Sequence, residues 1–166
     1  MWWIRTLLVI SPLINTLGVG CTGKSSDGNI TQIQSTETVE LSISHRSEWR
    51  LLWLEGSTSL PDGAFVNYRV THSMARIAPA EDWPAPNLID SGRATVDSSQ
   101  YWTRINTLNW PAGHVEVVVQ FPLPPQPPEI MRRFGEFGEY LSGTNVTDLD
   151  GMKVVKVTYE FEHNRR

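Results

Sequence analysis

The stretch that decides the fold of this 166-residue chain is Val115-Glu116-Val117-Val118-Val119-Gln120-Phe121. Its apolar side chains recur at every second position, which is the period of a β-strand with one buried face. Pro111-Ala112-Gly113 leads into the stretch, and the proline-rich residues 122–128 follow it. Turn-forming residues therefore bound the strand on both sides, and residues 122–128 predict a polyproline-like loop.

Shorter segments of the same kind occupy much of the remaining chain. Apolar patterns predict further strands over residues 39–43, 49–55, 64–70, 92–97, 101–105 and 154–161. Turn chemistry separates strands at residues 60–63, 98–99 and 148–151. Segment 49–55 is apolar enough to be buried on both faces. Segments 92–97 and 101–105 are expected to pair with each other around the bend Ser98-Ser99.

Helix signals are sparse in this sequence. Residues 129–134 form the one expected helix, because Pro128 suits the first helical position and Gly135 suits the end. Residues 73–88 are expected to be mostly connection. About seven strands without a strand–helix–strand rhythm predict an all-β fold, in which residues 37–166 form a single two-sheet sandwich with one short helix.

Two segments resemble the turn–strand units of bacterial immunoglobulin-like or fibronectin type III-like sandwiches. The first is residues 56–63 with the alternating strand that follows, and the second is residues 108–117. The likeness extends over roughly residues 38–162. It implies an immunoglobulin-like sandwich, a fold in which binding or scaffolding roles are more usual than catalysis.

The N-terminal residues 1–20 have the layout of a cleaved signal peptide. Arg5 is their only charged residue, a short apolar segment follows it, and the end of the region is rich in small residues. Pro12 and Asn15 interrupt the apolar run, which is shorter than the roughly 20 residues that a membrane-spanning helix needs. We therefore expect export of the chain and removal of this segment.

The single cysteine, Cys21, lies directly after that segment. Leu17-Gly18-Val19-Gly20-Cys21 resembles the bacterial lipobox, in which the cysteine is acylated and becomes the new N-terminus. Gly18-Val19-Gly20 also fits ordinary secretory cleavage, which would leave Cys21 a free thiol. The favoured prediction is lipid attachment at Cys21, with residues 21–36 as the lipidated cysteine and a flexible linker. This places the protein in the bacterial cell envelope, membrane-anchored and extracytoplasmic.

Composition and charge exclude several classes of protein. The chain has 14 Lys+Arg against 18 Asp+Glu, a net charge of −4, and no basic cluster, so nucleic-acid binding is not expected. One cysteine closes no intramolecular disulfide. The many glycines and prolines do not fit a coiled coil.

No residue constellation points to catalysis, a cofactor or a metal. The four histidines are far apart in the sequence and form no metal-ligand spacing: His45, His72, His114 and His163. Asp148 and Asp150 resemble the start of a calcium loop, but Val157 stands where a later acidic ligand is needed. Glu136 and Glu139 form an imaginable acid/base pair without a third partner. We expect a protein that is not an enzyme.

The tryptophans are the remaining candidates for a binding site. Trp49, Trp53 and Trp102 fall on predicted strands and are expected in the core. Trp83 and Trp110 each precede Pro-Ala in a loop, where they would either form a stacking platform for sugar or peptide or close the ends of the core as lids; the lid is favoured.

The sequence thus leaves two functions open. The favoured one is a membrane-anchored lipoprotein whose sandwich is a binding or scaffolding module for an unidentified protein or glycan. The alternative is a carbohydrate- or peptide-binding module that uses Trp83 and Trp110.

Overall fold

The computed structural model describes residues 35–164, so the predicted signal peptide, Cys21 and most of the predicted linker lie outside the described residues. The strands in chain order are β1 (Glu37–Thr38), β2 (Ser44–Glu48), β3 (Leu51–Ser57), β4 (Phe65–His72), β5 (Ile89–Thr95), β6 (Gln100–Asn106), β7 (Gly113–Phe121), β8 (Leu141–Ser142), β9 (Val146–Leu149) and β10 (Met152–His163). The helices are α1 (Met74–Ile77) and α2 (Pro128–Phe134), and a short 3-10 helix spans Ala80–Asp82.

Two antiparallel sheets contain most of these strands. The larger sheet has the order β5-β4-β7-β10-β9, and the smaller has the order β2-β3-β6. The strand predicted most strongly, β7, lies at the centre of the larger sheet, where Val117 is opposite Val70 on one side and Tyr159 on the other. The short β1 and β8 form a separate parallel pair.

The core lies between the two sheets. Val115, Val117, Val119 and Phe121 of β7 and Leu52 and Leu54 of β3 are all fully buried, and they belong to one continuous hydrophobic cluster. Each strand contributes alternate residues, since successive side chains point to opposite faces. The apolar faces of the two sheets therefore pack against each other, and the predicted all-β sandwich is confirmed.

The predicted helix is confirmed as α2. Pro128 occupies its first turn, and its backbone ends at Gly135, whose φ of 88° is readily adopted only by glycine. Phe134 is buried and packs edge-to-face on Phe121, with ring centroids 5.1 Å apart. The hairpin turn at residues 148–151 is also confirmed, because Asp150 and Gly151 both have positive φ between β9 and β10. The four-residue helix α1 lies in the segment expected to be mostly connection.

The expected pairing of β5 with β6 is wrong. Ser98 and Ser99 do form a tight turn with φ of 53° and 61°, but only Asp97 and Gln100 pair across it. Beyond this bridge β5 pairs with β4, and β6 pairs with β3. The chain therefore crosses from the larger sheet to the smaller sheet at this turn.

The expected strand over residues 39–43 is reduced to an isolated bridge between Leu41 and Thr58. Val39 and Leu41 are nevertheless buried. The alternating pattern therefore predicted the buried residues correctly, but these residues do not form a continuous strand. The antiparallel ladder of the smaller sheet begins at Ser44.

Candidate functional site

The outer face of the smaller sheet carries an unusual set of side chains. Leu52 and Leu54 of β3 point into the core, so Trp53 and Glu55 point outward. The register places Trp53 between Arg46 on β2 and Arg104 on β6, and it places Glu55 opposite Trp102. We call Arg46, Trp53, Glu55, Trp102 and Arg104 the tryptophan face.

The two tryptophans of this face lie next to each other, with ring centroids 5.7 Å apart and planes inclined by 46°. Trp102 is 61% exposed, and Trp53 is half-buried. The expectation that Trp49, Trp53 and Trp102 belong to the core is therefore wrong. Only one face of the smaller sheet packs on the core, so β3 is not buried on both faces. Trp49 lies outside the strands, in the turn between β2 and β3, and is 67% exposed.

Polar contacts hold the Trp53 ring in place. Its Nε1–H donates to the Glu48 carboxylate at 3.1 Å, and the Arg46 guanidinium lies over the ring, 5.0 Å from its centroid. Arg46 also pairs with Glu48 and, at 3.5 Å, with Glu55. These contacts fix the orientation of the Trp53 ring. The neighbouring Trp102 ring is the more exposed of the two.

A shallow depression of about 500 Å³ adjoins the two rings. It is lined by Ser42, Ser44, Trp53, Glu55, Gly56, Ser57, Gln100, Tyr101 and Trp102. The Ser42 and Ser57 hydroxyls are 2.8 Å apart, and the Tyr101 hydroxyl donates to the Ser42 carbonyl at 2.5 Å. Burial raises the pKa of Tyr101, so the phenol remains a hydrogen-bond donor well above neutral pH. Hydroxyl and amide groups therefore line a depression that adjoins the exposed Trp102 ring.

Gly56 allows the backbone on the floor of this depression to pack closely. A Cβ atom at this position would lie 2.1 Å from the Ser42 carbonyl oxygen and 2.4 Å from the Tyr101 ring. Such distances are far inside van der Waals contact, and the carbonyl belongs to backbone that cannot simply rotate away. Only glycine fits here without displacement of the chain.

The loop tryptophans considered as an alternative stacking platform, Trp83 and Trp110, do not form an exposed pair. Trp110 is 1% exposed, and it packs edge-on against His72 and His163, each with a centroid distance of 5.6 Å. This is the lid arrangement. Trp83 is half-buried, packs against the core and donates its Nε1–H to the Ala78 carbonyl at 2.9 Å.

Three histidines that are distant in the sequence lie near one another. His72 and His163 contact Trp110, and His45 is close enough to His163 for their charges to interact. Burial lowers the pKa of His45, His72 and His163, and the charges of the other two lower the pKa of His163 further. His163 Nδ1 is buried without a hydrogen-bond partner. Within residues 35–164, no group of three or more His, Cys, Asp or Glu side chains is placed to hold a metal ion.

Comparison of the chain with family models, with curated proteins and with solved structures gave no match. In the described part of the chain, no helix is both long and apolar enough to span a membrane.

Glu136 and Glu139, considered above as an acid/base pair, are both exposed, and Glu139 accepts a hydrogen bond from the Phe137 N–H at 3.0 Å.

Alternation alone did not identify the tryptophan face. On β3 and β6 both alternating sets contain large apolar residues, so the apolar residues by themselves do not select the buried set. A local signal is nevertheless present, because Glu55 shares the period of Trp53 on β3 and Arg104 shares that of Trp102 on β6, and charged side chains are rarely fully buried.

Proposed function

We propose that this protein is a lipid-anchored, extracytoplasmic, non-catalytic binding module of the bacterial cell envelope, and that its tryptophan face binds a polysaccharide. The observation that carries the proposal is Trp102, 61% exposed and adjacent to Trp53 on a sheet face. A large aromatic surface left in water is costly, and such patches in soluble domains mark interaction sites.

A sugar suits this surface for two reasons. The C–H face of a pyranose ring stacks on an indole, which offers a broad apolar surface with little conformational freedom to lose. Sugar hydroxyls need donors and acceptors near that ring. Gln100 lies two positions from Trp102 on the outer face of β6, and Ser44 lines the same depression. Because Trp53 is already held by Glu48 and Arg46, the surface is preorganised for its ligand.

The strand order supports the finer, immunoglobulin-like assignment of the sandwich. In that fold the strands named A, B and E lie in one sheet, and C, F and G lie in the other. Here β2, β3 and β6 occupy the places of A, B and E, and β4, β7 and β10 occupy those of C, F and G. The strand β5 stands where D is expected in the chain but pairs with β4.

The proposed anchor is an acylated Cys21, joined to the sandwich by a linker up to residue 36. The acyl chains would hold the binding module at a membrane of the envelope.

Affinity electrophoresis tests the proposed function. The full chain, solubilised in detergent, migrates through gels that contain a neutral or an acidic soluble polysaccharide. We expect at least one polymer to retard the protein, and we expect Trp102→Ala to weaken the retardation by about tenfold, as loss of one stacked ring predicts.

Trp49→Ala is the matched control, since it removes an equally exposed tryptophan at another position. It should migrate like the unmodified protein. Retardation that is unchanged in Trp102→Ala, or no retardation by any polymer, contradicts the proposal.

A further inference from the structure

We infer that the polysaccharide bound by the tryptophan face is acidic, and that Arg104 binds its carboxylate groups. This inference rests on the proposed function of that face. It begins from the charged residues around Trp53, which differ in how fully they are paired.

Arg46 is neutralised within the protein, because it contacts the carboxylates of both Glu48 and Glu55. Arg104 is exposed, and its guanidinium makes a cation–π contact with the Trp53 ring, 6.0 Å from the ring centroid. Among residues 35–164 it has no carboxylate partner. A neutral ligand would leave the Arg104 guanidinium without an ionic partner. A carboxylate would accept two parallel hydrogen bonds from it, a bidentate ion pair that arginine forms especially well.

Position on the strand brings Arg104 within reach of a ligand on Trp102. The two residues are two positions apart on β6 and share its outer face, so their Cα atoms are about 6.6 Å apart. This separation is close to the length of one sugar unit. A ring stacked on Trp102 would therefore place its own carboxylate, or that of the next unit, beside Arg104.

Arg104 is the cation of this face that is available to a ligand. Arg46 contacts two carboxylates, those of Glu48 and Glu55, so these three groups together carry a net charge of −1, and Arg104 offsets it. The chain as a whole has a net charge of −4. Charges beyond about 8 Å are largely screened at physiological ionic strength, so a carboxylate beside Arg104 interacts mainly with that guanidinium.

The test compares polymers that differ only in their carboxyl groups. Polygalacturonate, alginate and hyaluronate are each used alongside a carboxyl-reduced form with the same backbone. The dissociation constants of the full chain in detergent are measured by affinity electrophoresis at low and at high salt. We expect the unmodified protein to bind at least one acidic polymer about tenfold more tightly than its reduced form, with the difference shrinking at high salt.

Arg104→Gln should bind the acidic polymer no better than the reduced one, and Arg104→Lys should recover part of the difference. Arg69→Gln is the matched control, because Arg69 is an exposed arginine on the outer face of β4 in the other sheet. It should bind like the unmodified protein.

Three outcomes overturn the inference. Equal binding of acidic and reduced polymers that still depends on Trp102 refutes the acidic ligand and leaves the proposed function standing. A preference for acidic polymers that Arg104→Gln does not change removes Arg104 from the site. Failure to bind any of the polymers, reduced or not, overturns both proposals together.

Discussion

Replacing Trp110 by alanine distinguishes the tryptophan that closes the core from those that lie on the surface. The Trp110 ring is 1% exposed, contacts His72 and His163, and donates its Nε1–H to Asn87 Oδ1 at 3.1 Å. The substitution removes all of these contacts and leaves a cavity that the surrounding strands fill only in part.

The magnitude follows from the burial of this side chain. Truncation of a buried tryptophan to alanine costs about 3–5 kcal/mol, from lost transfer free energy and from the cavity. The lost hydrogen bond adds little, because Asn87 is half-exposed and can bond water instead. For a domain of this size the expected decrease in melting temperature is about 15 °C, and a large part of a total stability of about 5–15 kcal/mol is lost.

The assay is urea unfolding of the full chain, followed by far-UV circular dichroism, with Trp102→Ala and Trp49→Ala as controls. Both control residues are mostly exposed, so their substitution should change the free energy of unfolding by less than about 1 kcal/mol. Trp110→Phe should fall between the unmodified protein and Trp110→Ala. If Trp110→Ala costs less than Trp102→Ala, the assignment of lid and surface is refuted.

Three further predictions concern other parts of the molecule. The free energy of unfolding should decrease as the pH falls below 6.5, the ordinary histidine value, because burial lowers the pKa of His45, His72 and His163 and the unfolded chain then binds more protons. Urea midpoints between pH 7.5 and 5 measure this decrease, and His163→Phe should reduce it; an identical pH dependence in that variant argues against the assignment. Gly56→Ala should destabilise the fold by about 2 kcal/mol or more in urea unfolding, because the added Cβ would overlap the Ser42 backbone. In Gly92→Ala the added Cβ meets only the Tyr68 side chain, which can move, so this substitution should cost less. Cys21→Ser should move the protein from the membrane fraction to the soluble fraction and remove the mass of the acyl chains; fractionation and intact mass that match those of the unmodified protein would exclude the anchor.

Local patterns were sufficient for most of the secondary structure. The alternation of apolar residues in β7 depends only on the period of the strand and on one buried face, both of which are visible in sequence. Pro128 and Gly135 mark the ends of α2 through their own backbone preferences. Asp150 and Gly151 mark the turn between β9 and β10 in the same way. Each of these signals is contained within a few neighbouring residues.

The binding face and the partners of the strands were decided by the tertiary structure. Alternation shows that Leu52 and Leu54 share one face of β3 and that Leu51 and Trp53 share the other, but not which face is covered. That choice depends on the second sheet, whose strands are distant in sequence. The same holds for the turn at Ser98-Ser99, which joins two sheets although it resembles a hairpin, and for the histidines around Trp110. Burial is a property of the packed sheets, so a local pattern identifies the two faces of a strand and only long-range pairing selects the one left in water.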